Sequence, residues 1–211
     1  MIYEVRTTDL KPRSLPEVER RFELAYHSRR RHSELAAFWH SEIGPLNQIV
    51  EVWAYDSLAH RSAVLAAAAT ETEWPPRIAE FVLRERAEIM HPASFSPTFG
   101  EGCGPFFEYR TYTYPAGTLP RIMQAWEHAL PVRLQFGPVT AIWHAEFGTT
   151  NSFVHIWPYR SLAEREEIRA KVRQTGMWPP FLKDLEEGGA GYDILSQESK
   201  LLLPASFSPL R

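Results

Sequence analysis

The chain has 211 residues, a formal net charge of −3 and 44% hydrophobic residues. This charge argues against a nucleic-acid partner, because a phosphate-binding surface is visibly basic. Its only cysteine, Cys103, excludes an intrachain disulfide and a cysteine-rich zinc site. The longest apolar run, residues 63–69, is too short to cross a bilayer, and the N-terminus shows no charged-then-apolar leader. We therefore expect a soluble, cytoplasmic protein with no membrane partner.

In chain order, the first half predicts a strand, a helix, a two-stranded hairpin, a second helix and a last strand. The predicted ranges are Tyr3–Thr8, a helix capped by Ser14, Leu35–Glu42, Asn47–Tyr55, a helix from Ser57 to about Thr70, a short helix over Arg77–Leu83 and a strand near Arg86–Met90. This order, β-α-β-β-α-β, is the ferredoxin-like motif.

The second half repeats the first with an offset of 104 residues. Residues 35–58 read LAAFWHSEIGPLNQIVEVWAYDSL, and residues 139–162 read VTAIWHAEFGTTNSFVHIWPYRSL. The closing motif PASFSP at 92–97 recurs later than this offset, at 204–209, which indicates an insertion around residues 188–191. The repeat predicts domains at 1–98 and 106–211 that are joined by a linker at 99–105.

A ferredoxin-like unit carries its helices on one face of the sheet, so the other face needs a partner. The tandem copy is the obvious partner. We therefore predict an α+β fold in which two tandem ferredoxin-like units pack their antiparallel sheets face to face as a pseudo-dimeric α+β barrel. Neither half is then expected to be stable alone.

Strand alternation separates the side chains of Asn47–Tyr55 into two faces. Val50, Val52 and Ala54 form a plain apolar face that suits the helices. On this interpretation the opposite face lines a ligand cavity between the sheets, and it carries the substrate-binding candidates Glu51, Trp53 and Tyr55, with His155, Trp157 and Tyr159 in the second copy. Because Glu51 is replaced by His155, the two half-sites differ, and we predict one working pocket.

The candidate catalytic residues are the pairs His40 with Glu42 and His144 with Glu146. Residues i and i+2 of a strand share a face, and a carboxylate against an imidazole makes a general base near neutral pH. A structural hydrogen-bonded pair at a strand end is an alternative, favoured because both copies keep the pair. Metal binding by the two pairs is a further alternative, and we assign no metal.

Arginines recur on the first strand of each copy, at Arg6 and Arg110. Each could hold a substrate carboxylate through two hydrogen bonds, or could brace the sheet by pairing with a glutamate such as Glu4 or Glu42. Arg61 and Arg165, on the second helix of each copy, are expected to form partly buried salt bridges.

Four motifs resemble those of the NIPSNAP family, a branch of the dimeric α+β barrel superfamily. They are the Tyr-Glu-x-Arg opening strand, the Trp-x-x-Glu-x-Gly hairpin, the Val-x-Trp-x-Tyr-x-Ser-Leu-x-x-Arg segment and the closing Pro-x-x-Phe-Ser-Pro. The resemblance covers nearly the whole chain, once per copy, and implies the barrel fold. The family includes mitochondrial eukaryotic proteins linked to vesicle and mitophagy roles, and the superfamily includes cofactor-free oxygenases, isomerases and haem enzymes.

Two functions follow as hypotheses. The first is a cofactor-free isomerase, oxygenase or lyase that uses His and Glu for proton transfer on a small apolar or aromatic metabolite in the barrel. The alternative is a non-catalytic binding or scaffold protein, and a haem-binding variant is a weaker third. The expected partners are a small-molecule ligand and a possible further copy of the chain, with no nucleic acid.

Overall fold

The structure is a computed structural model and describes residues 1–100, 104–180 and 194–211. Cys103, part of the predicted linker and the predicted insertion around residues 188–191 lie outside the described residues.

Both halves of the chain follow the predicted order of strands and helices. The first half comprises β1 (Ile2–Leu10), α1 (Leu15–Arg29), β2 (Leu35–Ile43), β3 (Gln48–Tyr55), α2 (Leu58–Ala68) and β4 (Val82–Pro92). The second comprises β5 (Phe106–Thr113), α3 (Leu119–Leu134), β6 (Ala141–Phe147), β7 (Ser152–Tyr159), α4 (Leu162–Gln174) and β8 (Ser196–Pro204).

The turn between β2 and β3 explains two of the residues that recur in the repeat. Gly44 has φ 116° and Asn47 has φ 54°, and their counterparts Gly148 and Asn151 have φ 108° and 57°. Left-handed backbone conformations favour glycine and, among other residues, asparagine. The turn therefore explains why both copies have a glycine and an asparagine at this spacing.

Two local predictions are wrong. Ser14 makes no side-chain cap to α1; its hydroxyl instead donates to the carbonyl of Lys11 at 2.7 Å. The predicted short helix over Arg77–Leu83 is a single 3₁₀ turn at Ala79–Phe81, because β4 begins at Val82. The second helix does begin as expected, since Ser57 Oγ accepts the backbone N–H of His60 at 3.1 Å.

The eight strands form a closed barrel in the hydrogen-bonded order β1-β3-β2-β8-β5-β7-β6-β4, and β4 pairs with β1. β1 pairs antiparallel with both β3 and β4, and β3 pairs antiparallel with β2. The predicted fold class is confirmed: an α+β protein with two ferredoxin-like repeats and a closed antiparallel barrel.

The chain divides into two compact units that do not coincide with the repeats. Unit 1 comprises Met1–His91, Glu146–Gly148 and Lys200–Arg211, and unit 2 comprises Pro92–Ala145 and Thr149–Ser199. Each unit therefore contains the closing PASFSP motif of the other repeat. The domain ranges predicted from the repeat remain a prediction about duplicated sequence.

The C-terminal segment completes the core of unit 1. Phe207 lies 4.8 Å from Phe38 and 5.9 Å from Phe22 between ring centroids, and Ser208 Oγ accepts the backbone N–H of Phe38 at 3.0 Å. Residues Leu201–Pro204 also pair with β2. Unit 2 repeats the hydroxyl contact, since Ser96 Oγ accepts the N–H of Ile142 at 3.0 Å.

We expect residues 1–98 expressed alone to aggregate or to form a homodimer. This fragment lacks Lys200–Arg211, so the edge of β2 loses its hydrogen-bonding partner and Phe22 and Phe38 lose their cover. Light scattering measures the oligomeric state of the fragment, and the chemical-shift dispersion of its NMR spectrum shows whether it is folded.

Fusing residues 200–211 to the same fragment through a flexible linker provides the control, and this fusion should be more soluble. A well-folded, soluble monomer of residues 1–98 without the added segment would contradict the prediction.

Candidate functional site

Unit 1 contains a cavity of about 570 Å³ between its sheet and its helices. This volume lies within the range of about 300–1,000 Å³ that is typical of small-molecule sites. Its apolar walls come from β3, β4, α1, α2 and the segment that follows α2: Phe22, Trp53, Leu65, Trp74, Ile78 and Val82. The ring centroids of Trp53 and Trp74 lie 5.9 Å apart at 77°, so the two indoles meet edge to face.

The cavity corrects the predicted orientation of β3. Glu51, Trp53 and Tyr55 face the helices and line the cavity there, and Trp53 and Tyr55 share a hydrophobic cluster with Val18 of α1 and Val64 of α2. The prediction that these three residues line a space on the face opposite the helices is therefore wrong. Val50 and Val52, on the other face of β3, are also fully buried. Because both faces are buried, the sequence of β3 does not show which face meets the helices.

Glu51 is the central polar residue of the cavity and is only 6% exposed. Trp53 Nε1 donates to Glu51 Oε2 at 3.0 Å, and Arg6 is the cross-strand partner of Glu51 on β1. Burial raises the pKa of Glu51 to about 7, although the charge of Arg6 and the Trp53 hydrogen bond act in the opposite direction. Near neutral pH both forms of this carboxyl are therefore populated.

The other carboxylates of the cavity are held in ion pairs. Arg61 binds Glu4 through two hydrogen bonds, from Nε at 2.9 Å and from Nη2 at 2.6 Å. Arg6 pairs with Glu85 and lies 3.5 Å from Glu4. The salt bridge predicted for Arg61 is confirmed, and Arg6 braces β1 against β4 while it also lines the cavity.

Arg29, at the end of α1, is a buried cation of the cavity that the sequence analysis missed. It is 1% exposed, and its guanidinium lies 4.4 Å from the ring centroid of Trp53. Nη1 donates to Ser33 Oγ at 2.8 Å and Nη2 donates to Tyr55 Oη at 3.0 Å. A signal was present, because Arg29 ends the buried stripe of α1 and recurs as Arg133 on α3.

Phe22 and Trp74 were also missed as cavity residues. Their counterparts in the second repeat are also aromatic, Trp126 for Phe22 and Trp178 for Trp74. Their place in the cavity wall depends on how α1 and the segment after α2 pack against the sheet, which residue spacing along the chain does not specify.

In unit 2 the position of Glu51 is occupied by His155, and larger rings surround it. Trp157 Nε1 donates to His155 Nδ1 at 2.5 Å. The ring centroids of Tyr112 and Trp126 lie 4.9 and 4.6 Å from that of His155, where unit 1 has the smaller Thr8 and Phe22. Burial, followed by the charge of Arg110, lowers the pKa of His155 well below its ordinary value, so the ring is neutral.

The remaining candidates of unit 2 belong to a buried polar cluster around Glu108. Arg165 Nη2 lies 2.6 Å from Glu108 Oε1, Arg110 Nη1 lies 3.4 Å from it, and Tyr159 Oη donates to Oε2 at 3.5 Å. Burial opposes the charge, but Arg165 and Arg110 lower the pKa of Glu108. The salt bridge predicted for Arg165 is confirmed, and Trp157 packs within the hydrophobic core of unit 2.

The pair predicted between His40 and Glu42 is not brought together as the sequence suggested, and the pair of His144 with Glu146 stays a prediction. His40 Nδ1 lies 2.7 Å from Glu19 Oε1 of α1, while Glu42 is exposed at the end of β2. Glu146 is also exposed and contacts His91 of β4. His144 is partly buried on β6. Helix α1 and strand β4 supply partners that strand alternation alone does not reveal.

Metal ligation finds no support in the arrangement of these side chains. Across residues 1–100, 104–180 and 194–211, no group of three or more His, Cys, Asp or Glu is placed to hold a metal ion. Over the same residues, no helix is long and apolar enough to span a membrane.

Replacing Glu51 with glutamine should change how stability depends on pH. The folded-state pKa of Glu51 lies above its ordinary value of 4.5, so the folded protein holds this proton more tightly than the unfolded chain. Its contribution to stability is fully present below the ordinary value and is lost as the pH rises through about 7. The loss amounts to about 3 kcal/mol, at about 1.4 kcal/mol for each pH unit between the two values.

Denaturant unfolding between about pH 5 and pH 8 measures the effect. The free energy of unfolding of Glu51→Gln relative to wild type should rise across this window, because glutamine still accepts from Trp53 but cannot ionise. Glu42→Gln, at an exposed carboxyl, is the matched control and should follow the wild type. Parallel curves for wild type and Glu51→Gln would show that Glu51 ionises at its ordinary value.

Known proteins resemble this chain in sequence over both repeats. The NIPSNAP family model matches the chain twice, over residues 3–97 and 107–209. NipSnap homolog 3A of Homo sapiens is 28% identical over 100% of this chain and 86% of its own length. The solved protein Atu4242 of Agrobacterium tumefaciens is 35% identical and covers 47% of this chain and 100% of its own, with a TM-score of 0.45.

A putative monooxygenase from Lactobacillus acidophilus covers 96% of this chain and 92% of its own, with a TM-score of 0.64 and 11% identity, so that likeness concerns the fold alone. The two family matches, one for each repeat, carry the assignment. This chain belongs to the NIPSNAP family.

Proposed function

We propose that unit 1 binds a small, largely apolar or aromatic metabolite in its cavity, and that Glu51 exchanges a proton with it without a cofactor. The observation that carries this proposal is a buried carboxyl, with a pKa of about 7, in the wall of an aromatic cavity of about 570 Å³. A group that titrates near the working pH serves best in general acid–base catalysis.

The contacts of Glu51 suit this role. Trp53 fixes Oε2, whereas Oε1 accepts no hydrogen bond from any described residue. The charge of Arg6 across the strand favours the ionised form and limits the rise in pKa that burial causes. A substrate C–H or O–H held against Oε1 would give its proton to the carboxylate and recover it from the carboxylic acid. Cofactor-free isomerisation is a reaction that such a proton transfer catalyses.

The proposal moves the acid–base role away from the four residues that the sequence favoured. His40 is engaged with Glu19, and Glu146 with His91. Neither contact lies in the wall of the cavity. His155, the counterpart of Glu51, is neutral and its Nδ1 already accepts from Trp157, so unit 2 is not assigned the chemistry.

Binding without turnover is the second candidate. It is favoured by the contacts that recur in both units: Tyr55 accepts from Arg29 as Tyr159 accepts from Arg133, and each arginine packs on a tryptophan. Residues that hold a fold together are kept in both copies. On this view Glu51 positions Trp53 and takes no proton from the ligand.

The same proposal includes a small-molecule partner and a cytoplasmic site of action, with no nucleic-acid or membrane partner. The net charge of −3 and the single cysteine support it. A further association between copies of the chain belongs to the proposal as well.

Proton exchange with carbon acids tests the proposed chemistry. A panel of small aryl ketones, beginning with phenylacetone, is incubated with the protein in D₂O, and loss of the protons next to the carbonyl is followed by NMR. Wild-type protein should accelerate exchange, and Glu51→Gln should lose that acceleration by roughly 10²–10⁴-fold, the usual contribution of a positioned acid–base group.

Two variants serve as controls, since neither residue lies in the cavity wall. His40→Gln and Glu42→Gln should exchange the ketone protons as fast as wild type. Equal acceleration by wild type and Glu51→Gln would refute a proton-transfer role. If Glu51→Gln binds the ketones with unchanged affinity and no protein accelerates exchange, the binding function is the correct one.

A further inference from the structure

The ion pairs around the cavity of unit 1 leave one guanidinium without a carboxylate partner in the described part of the chain. Glu4 is bound by Arg61 at 2.6 and 2.9 Å, and Glu85 is bound by Arg6. Glu51 is only partly ionised near neutral pH. Arg29 therefore remains as a cation that forms no ion pair with any described carboxylate.

The immediate surroundings of Arg29 are neutral. Its two hydrogen-bond partners, Ser33 Oγ and Tyr55 Oη, are hydroxyls, and its buried Nε has no hydrogen-bond partner among the described residues. The guanidinium lies over the Trp53 ring at 4.4 Å and near the Trp74 ring at 5.7 Å. An aromatic face offsets only part of the cost of burying a charge, and a buried cation ordinarily has an anionic partner.

We propose that the ligand of unit 1 is a small organic carboxylate, whose anionic group binds Arg29 and whose apolar body lies against Trp53 and Trp74. This inference rests on the proposed function, because it requires a ligand in the same cavity. A guanidinium matches a carboxylate through paired N–H donors, and such charge-assisted bonds are stronger than neutral ones. The apolar walls favour a carboxylate with an aromatic or aliphatic body over a small inorganic anion.

Unit 2 offers a matched comparison. Arg133 donates to Tyr159 Oη at 3.4 Å and to the carbonyl of Gly137 at 3.2 Å, and lies 4.1 Å from the Trp157 ring. An arginine on a tryptophan is thus common to both units and stabilises each of them. The two units differ beside the counterpart of Glu51, because Tyr112 and Trp126 pack on His155 where unit 1 has the smaller Thr8 and Phe22.

The test compares two probes of the same shape, 3-phenylpropionate and its neutral amide, at a pH where the acid is ionised. Binding is measured by NMR from the indole N–H signal of Trp53 and by titration calorimetry. Wild-type protein should bind the acid at least about tenfold more tightly than the amide, the advantage expected of a charge-assisted hydrogen bond. Arg29→Met should abolish that preference, and Arg29→Lys should retain part of it.

Arg133→Met is the control, and it should keep the full preference for the acid although it removes a similarly buried arginine. If Arg29→Met does not fold, the acid-to-amide ratio of wild type and of Arg29→Lys decides the matter. Equal binding of acid and amide by wild type, failure of both probes to move the Trp53 signal, or loss of the preference in Arg133→Met would each overturn the inference. Equal binding would leave the proposed function standing, because the cavity would still bind a small aromatic molecule.

Discussion

A buried indole N–H needs an acceptor, and in both units the residue two positions earlier on the same strand supplies it. Trp53 donates to the carboxyl of Glu51, and Trp157 donates to the imidazole of His155. Because residues i and i+2 of a strand share a face, this contact places an acceptor beneath the helices of each unit. A buried arginine packs on each of these tryptophans and donates to a tyrosine of the same strand.

The choice of acceptor distinguishes the two units. A histidine accepts at Nδ1 only when that nitrogen is unprotonated. His155 meets this requirement because burial and nearby arginines lower its pKa and leave the ring neutral. A carboxyl accepts in either protonation state, so Glu51 keeps its hydrogen bond to Trp53 while it titrates near neutral pH. With smaller side chains at Thr8 and Phe22, unit 1 also has room beside its acceptor. Duplication has thus produced one structural and one titratable version of the same contact.

Much of the fold could be predicted, because repetition, hydrophobic period and turn residues are local signals. The positions of Gly44 and Asn47 were fixed by the turn they form, and the split β-α-β-β-α-β order followed from the pattern of each repeat. The exchange of closing segments could not be predicted: Phe207 belongs to the second repeat but packs in unit 1. Nor could the orientation of β3, since Val50 is buried as completely as Trp53. His40 and Glu42 share a face, but the nearer carboxylate comes from α1, and such long-range packing leaves no trace in residue spacing.

Burial in the cavity of unit 1 holds the proton on Glu51 up to neutral pH. The most direct measurement is an NMR titration of the carboxyl carbon of Glu51 in isotopically labelled protein, assigned by comparison with Glu51→Gln. We expect a single transition with its midpoint at a pKa of about 7. A midpoint close to the ordinary value of 4.5 would contradict it, because the carboxyl would then be a permanently charged partner of Arg6 with no proton to exchange.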